Sequence, residues 1–346
     1  MNFRKSIAIL LCFVMFFSIL LVAGCGQQAA KEPEPTPKEE PKKEPAKKME
    51  LAFAMHTAPG GPDQKAVQKF KELVESRTDE IVVNIFEGGT LGGERDNIEQ
   101  LQTGEIAMTM VGEMPMNLYA AELFPMGVPY VFPSIETVKE AYNTEIGNRI
   151  KEKLEENKIK LIAWQRRGAR MLTMNKAINT PDDLKGSKMR VPEIPDWVEV
   201  WKELGALPTP IAFPEVFGAL QTGVVSGQEN PLYLIESSKF AEVQSHVMIT
   251  EHVHAIFNWM ISKPFWDSLT AEQQKVVEQS AKEAADFGDK LTAELEEGYK
   301  KKLTEQGMTV IEVDKNLFKE KAMPAINRIK NKWAPGIYEE VQRITG

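Results

Sequence analysis

The sequence predicts a mixed α/β fold of two lobes, and three observations carry that expectation. Short apolar strand patterns alternate with amphipathic helices from Leu51 onward, which calls for a parallel sheet covered by helices. The tetrapeptide Leu101-Gln102-Thr103-Gly104 recurs as Leu220-Gln221-Thr222-Gly223, each time between an amphipathic helix and a strand. One such unit is expected in each lobe, with Gly104 and Gly223 as left-handed helix caps. With 346 residues and 42% hydrophobic content, the chain is long enough to bury two cores.

The folded body is not expected to begin at residue 1. Residues 1–24 carry Arg4-Lys5, an apolar run from Ile7 to Ala23 and then small residues, the pattern of a secretory signal. A single membrane-spanning helix is the competing reading, because the run reaches the lower limit for spanning. Leu21-Val22-Ala23-Gly24-Cys25 decides against it: it looks like a bacterial lipobox, in which Cys25 is lipidated and becomes the mature N-terminus. Residues 25–48 then form a linker. Within it, Lys31 to Lys48 holds only Lys, Glu and Pro besides Thr36 and Ala46, so it cannot build a core. Proline at that density favours an extended stalk, with a reach of roughly 55 Å at about 3.1 Å per residue.

From Glu50 the body opens with the strand Leu51–Met55, a breaker-rich turn from His56 to Pro62, a helix from Asp63 to Ser76 and the strand Ile81–Phe86. A helix over Glu94–Gly104 and a strand over Ile106–Val111 follow. Residues 118–133 read as packed loop, and Thr137–Glu156 as one or two helices. The strand Ile159–Trp164 leads to Arg166, Arg167 and Arg170, and a solvated basic turn is an open reading for the first two. In the strand Lys188–Val191, Met189 and Val191 alternate with Lys188 and Arg190, so Arg190 points off the apolar face; Pro192 stops it. An Arg left at the carboxyl end of a strand offers a planar fork suited to a carboxylate. Helix Asp196–Leu204 carries Trp201 inward and leaves Trp197, at its start, as a candidate to line a cleft. Gly227-Gln228-Glu229-Asn230-Pro231 reads as a turn-rich connection that holds Asn230 extended, beside Arg190. Thr270 and Gln273 form a capping box for a helix reaching Gln306, where Gly307 ends it. Gly288 and Gly298 are its candidate bending points, and the strand Met308–Val313 and amphipathic helices complete the chain.

The segments KMRVPE, PTPIAFPEVFGALQTG and GQENP resemble those of the solute receptors of tripartite ATP-independent periplasmic (TRAP) transporters, of the C4-dicarboxylate and sialic-acid type. The resemblance covers nearly everything after Met49. It implies the two-lobed Venus-flytrap fold of periplasmic binding proteins, with a hinge and one long helix spanning both lobes. The lobes are then expected at 49–165 with 256–290, and at 166–255 with 291–346. It further implies that Arg190 pairs with a ligand carboxylate, and that Arg170, in the G-x-R-x-x-T-x-N segment Gly168 to Asn175, also reads the ligand. Asn230, Phe213 and His56 follow as ligand contacts from the matching motif positions. Lys176-Ala177 stands where the family more often has Arg-Pro, and Arg166-Arg167 is a further departure.

Several functions are excluded. Once 1–24 is removed, 40 basic residues face 50 acidic ones, a net charge of −10, which argues against nucleic acid and against adhesion to anionic lipid. The two cysteines, Cys12 and Cys25, both precede the body, so it holds neither a disulfide nor a catalytic thiol. His252 and His254 have no further ligand at a recognised spacing, so no metal is expected. No nucleophile elbow, phosphate loop or dinucleotide fingerprint occurs, and neither an enzyme nor a cofactor is expected. The expectation is a monomeric, lipid-anchored, extracytoplasmic receptor that delivers an organic acid to the small and large membrane subunits of the transporter. A sensory receptor that signals a bound acid is the alternative. The identity of the acid, and whether Arg166, Arg167, Glu113 or Tyr233 touches it, stays open.

Overall fold

The computed structural model describes residues 48–346; the signal expected at 1–24, Cys25 and the 25–47 stretch of the linker lie outside the described residues. The body opens with β1 (Met49–Ala54), α1 (Pro62–Arg77) and β2 (Ile81–Phe86). α1 starts on a proline at its first position, where a missing N–H matters least, and turns Phe70 onto Phe53 of β1 with ring centroids 5.8 Å apart. Next come α2 (Glu94–Thr103), β3 (Met108–Val111), α3 (Met114–Tyr119), α4 (Ile135–Tyr142), α5 (Glu145–Glu156) and β4 (Ile159–Met174). β5 (Lys188–Val191), α6 (Pro195–Glu203), β6 (Leu207–Pro210), α7 (Val216–Gln221), β7 (Gly227–Pro231), α8 (Leu232–Ser237) and β8 (His246–Ile249) follow. The chain then runs through β9 (His254–Ser262), α9 (Lys263–Ser268), α10 (Ala271–Glu305), β10 (Thr309–Glu312), α11 (Lys315–Lys330) and α12 (Ile337–Thr345).

Two lobes are tied together through β4. From Ile159 to Ala169 it pairs antiparallel with β9 and closes the first sheet, ordered β2-β1-β3-β9-β4. From Arg170 onward it pairs with β7, and from Leu172 also with β8. β5 and β6 extend this second sheet beyond β7, and β10 extends it beyond β8, all by parallel pairing. The basic turn left open for Arg166 and Arg167 does not form: both lie, with Arg170, inside one continuous strand of 16 residues. GQENP is likewise a buried strand rather than a turn, hydrogen-bonded to β4 on one side and β5 on the other. Both repeated glycines adopt the left-handed conformation, at φ 80° for Gly104 and 73° for Gly223.

The long helix is α10, of 35 residues, opened by the Thr270–Gln273 capping box. Its partners change along its length. Arg77 of α1 bonds Glu283 at 2.6 Å, Lys139 of α4 reaches Asp289 at 3.2 Å, and Lys300 lies 3.7 Å from Glu312 on β10. α10 thus begins on the first lobe and ends on the second. Gly288 lies against β4, where a Cβ would fall 2.4 Å from Cδ of the fully buried Gln165, so it serves close packing. One lobe boundary differs from expectation. Ile337, Val341 and Ile344 of α12 pack into the first-lobe core with Val138 and Ala141 of α4, whereas 291–346 was expected wholly on the second lobe. Among the described residues no helix is long and apolar enough to cross a membrane.

Candidate functional site

A hollow of about 270 Å³ lies where the lobes meet, beside the point at which β4 passes from one sheet to the other. Arg167 and Arg170 both line it. Residues three apart point to opposite faces of an unbroken strand, so something must re-aim one of them. The register with β9 shifts between Arg166 and Gly168, and Gly168 sits at φ 102°, a conformation that suits glycine. That bulge brings both guanidiniums to the hollow.

Three buried arginines share the site, and their partners differ. Arg170 is 2% exposed; its Nη2 donates to Glu229 Oε1 at 2.8 Å and to Asn230 Oδ1 at 2.9 Å, while Nε donates to Glu229 Oε2. This is a forked pair. Burial alone would raise the Glu229 carboxyl, but the charge and hydrogen bonds of Arg170, with His252, bring it down to about 2. Arg167 donates to Glu94 Oε1 at 3.4 Å, lies 3.8 Å from Glu113 Oε2, and stacks over Phe257 at 4.5 Å. Glu94 also accepts the Gly112 N–H at 2.9 Å and faces His56 Nε2 at 3.1 Å. Against the upward push of burial, His56, Arg167 and the Gly112 N–H hold its carboxyl well below the usual range. Arg190 is 3% exposed, and its one hydrogen bond runs from Nε to the Ile211 carbonyl at 2.9 Å. Among the described residues no carboxylate forms an ion pair with it, and burial pulls its guanidinium down to about 10.

Of the residues expected at the site, Arg170, Arg190, Phe213 and Asn230 line the hollow. Asn230 is engaged on both sides, its Oδ1 with Arg170 and its Nδ2 donating to Gln228 Oε1 at 2.7 Å. Trp197 does not line it. The ring is fully buried beneath Arg170, 4.8 Å from its guanidinium, and its N–H donates to the Gly127 carbonyl at 2.6 Å. His56 stands behind the lining, between Glu94 and the edge of Phe213, with ring centroids 5.8 Å apart. Arg166 and Tyr233 lie off the hollow, whereas Arg167 and Glu113 are part of it.

Sequence reasoning missed Glu94 and Glu229 and left Arg167 and Glu113 open. Glu229 had a signal: it sits inside GQENP, next to Asn230, and a buried Arg needs an opposite charge. His252 bonds Thr250 Oγ1 at 2.9 Å and Glu229 Oε2 at 3.0 Å, so it braces the Arg170 pair rather than joining His254. A larger hollow of about 410 Å³ lies on the α10 side of β4, lined by Arg166, Glu251, His254, Glu296 and Lys300 among others. None of the expected contacts faces it, and Arg190 lies elsewhere.

Two lobes, one spanning helix and a charged hollow between them form an architecture suited to enclosing a small charged solute. A family model described as bacterial extracellular solute-binding protein, family 7, matches residues 53–332. The chain belongs to that family, the receptor family of TRAP transporters, and is an extracytoplasmic binding protein. A solute-binding protein of Roseobacter denitrificans is 41% identical over 266 residues, covering 75% of this chain and 81% of its own. A crystal structure of a TRAP periplasmic solute-binding protein from that organism, with bound L-galactonate, superposes with a TM-score of 0.81 at 37% identity, over 87% of this chain and 99% of the other. One from Polaromonas, bound to D-erythronate, gives 0.81 at 30% identity over 86% and 99%.

Proposed function

We propose that this receptor captures an organic acid by pairing its carboxylate with Arg190, closes its lobes over it, and delivers it to the small and large TRAP membrane subunits for uptake driven by an ion gradient. The observation that carries the reading is the difference among the arginines. Arg170 is answered by Glu229 and Arg167 by Glu94, while Arg190 faces the hollow without a carboxylate of its own. A carboxylate at about 4 Å from that guanidinium gains on the order of 4 kcal/mol at an effective dielectric near 20, and the planar fork adds direction. The acids held by the two similar structures, L-galactonate and D-erythronate, each carry a carboxylate and agree with this chemistry.

Closure without a ligand strands the Arg190 charge away from water, so the closed state is favoured when an anion is present. The moving bodies in this reading are 49–165 with 256–290, joined by α12, and 166–255 with the rest of 291–346. Their crossings are β4 near Ala169, the 250–253 link and α10. A lipid on Cys25 holds the receptor at the outer face of the cell membrane, with the Pro/Lys/Glu segment as its stalk.

Titration calorimetry with the cognate acid tests the reading. Arg190→Ala is expected to abolish binding without unfolding the protein, and Arg190→Lys to weaken it severely because the fork is lost. Unaltered affinity in either variant removes Arg190 from the site.

A further inference from the structure

The pairing with Arg190 leaves three other lining residues of the hollow unexplained, Glu94, Glu113 and Arg167. Glu113 is 4% exposed, its Oε1 is buried without a hydrogen-bond partner, and Oε2 has only the long 3.8 Å approach to Arg167. Arg167 Nε is also buried and unpartnered, and its contact with Glu94 is a loose 3.4 Å. Buried donors and acceptors left open are costly, and here they line a hollow. Groups of both kinds, side by side, suit hydroxyls, which donate and accept at once.

Charge narrows the ligand further. Arg167 and Arg170 each have a close carboxylate partner, Glu94 and Glu229, whereas Arg190 forms no ion pair among the described residues. Burial pushes the Glu113 carboxyl up, against the pull of Arg167 and Arg170, towards a protonated form that can donate a hydrogen bond. A second ligand carboxylate on the Arg167 side of the hollow would have to share that guanidinium with Glu94, and like charges about 4 Å apart repel by on the order of 4 kcal/mol at an effective dielectric near 20. Ionisation of Glu113 would only strengthen that repulsion. At the rim, Arg95 is matched by Glu193 at 3.6 Å, while Asp96 and Glu215 add negative charge.

Resting on the Arg190 reading above, we propose that the ligand is a singly charged, polyhydroxylated carboxylic acid, with its carboxylate on Arg190 and its hydroxyls on Glu94, Glu113 and Arg167, and that dicarboxylates are discriminated against. The test is titration calorimetry at pH 7 of ligand-free protein against gluconate, galactonate, erythronate and glucuronate, and against succinate, malate and glutarate. The best hydroxy acid is expected to bind about a hundredfold more tightly than the best diacid. Glu113→Leu is expected to lose at least about tenfold for the hydroxy acid, while Glu113→Gln, which keeps the shape and hydrogen-bonding capacity, stays within about threefold. A diacid that binds as tightly as the best hydroxy acid, no binding by any hydroxy acid, or a Glu113→Leu variant with unchanged affinity overturns the inference. Arg190→Ala separates the two readings. If it abolishes binding while diacids match hydroxy acids, only this inference falls; if it binds the acid as the wild type does, the Arg190 reading falls with it.

Discussion

Replacing Arg190 by methionine is expected to make the empty protein more stable while destroying its binding. Burial lowers this guanidinium from 12.5 to about 10, a drop worth about 3 kcal/mol at about 1.4 kcal/mol per pH unit. Because the folded value lies below the unfolded one and the group is a cation, the penalty is in force at every pH below about 10 and is fully present at pH 7. Methionine fills much of the same space without charge. It forfeits the Nε bond to the Ile211 carbonyl, about 1 kcal/mol, so the net gain is about 2 kcal/mol. For a chain of this size that corresponds to a Tm rise of about 4 °C. Differential scanning calorimetry on unfolded, dialysed and refolded protein, with and without saturating acid, reads both effects. Wild type should rise in Tm on adding acid, by mass action. The variant should start higher and not respond. A variant that melts lower than empty wild type and still rises with ligand would refute the reasoning, because Arg190 would then be neither strained by burial nor used by the ligand.

Three further outcomes follow from the same geometry. Arg95 and Glu193 face each other across the mouth at 3.6 Å, both more than a third exposed, so Arg95→Ala should speed ligand release by no more than about fivefold in stopped-flow, with the difference vanishing at high salt. A larger change would mean that the pair does more than latch the rim. Gly288→Ala, whose Cβ meets buried Gln165, should lower stability in urea by about 1–2 kcal/mol despite the better helix propensity of alanine; a gain would show that Gln165 moves aside freely. The folded value of Glu229, about 2, lies below its unfolded one, so the stability due to its ionisation is complete above about pH 4.3 and drains away as pH falls towards 2. Glu229→Gln should therefore flatten the acid limb of a pH–stability profile, and an unchanged limb would assign that loss to other carboxyls.

What the sequence made legible was local. The first strand-helix-strand unit, the twin LQTG elements and the Thr270 box each rest on neighbours within a few residues, and these fold as their spacing dictates. What stayed hidden was the pairing of distant charges. Arg166-Arg167 interrupts any apolar alternation and left a turn open as a reading, yet β4 runs straight through it, because Glu94 and Glu113 come from another part of the chain to answer Arg167. Glu229 and Asn230 are residue types depleted in strands, and only the opposing Arg170 makes their burial in β7 affordable. Trp197 fell on the correct helix, but its periodicity could not tell a cavity wall from the layer beneath an arginine. α12 is amphipathic, and nothing in an apolar stripe says which of two cores will receive it.

The most direct measurement is a crystal structure of the protein grown with its tightest-binding acid. The carboxylate oxygens are expected within about 3.2 Å of the Arg190 terminal nitrogens, with the Arg170–Glu229 fork intact beside them. A carboxylate seated on Arg170 with Glu229 displaced, or an acid lodged in the hollow on the α10 side of β4, would contradict the account.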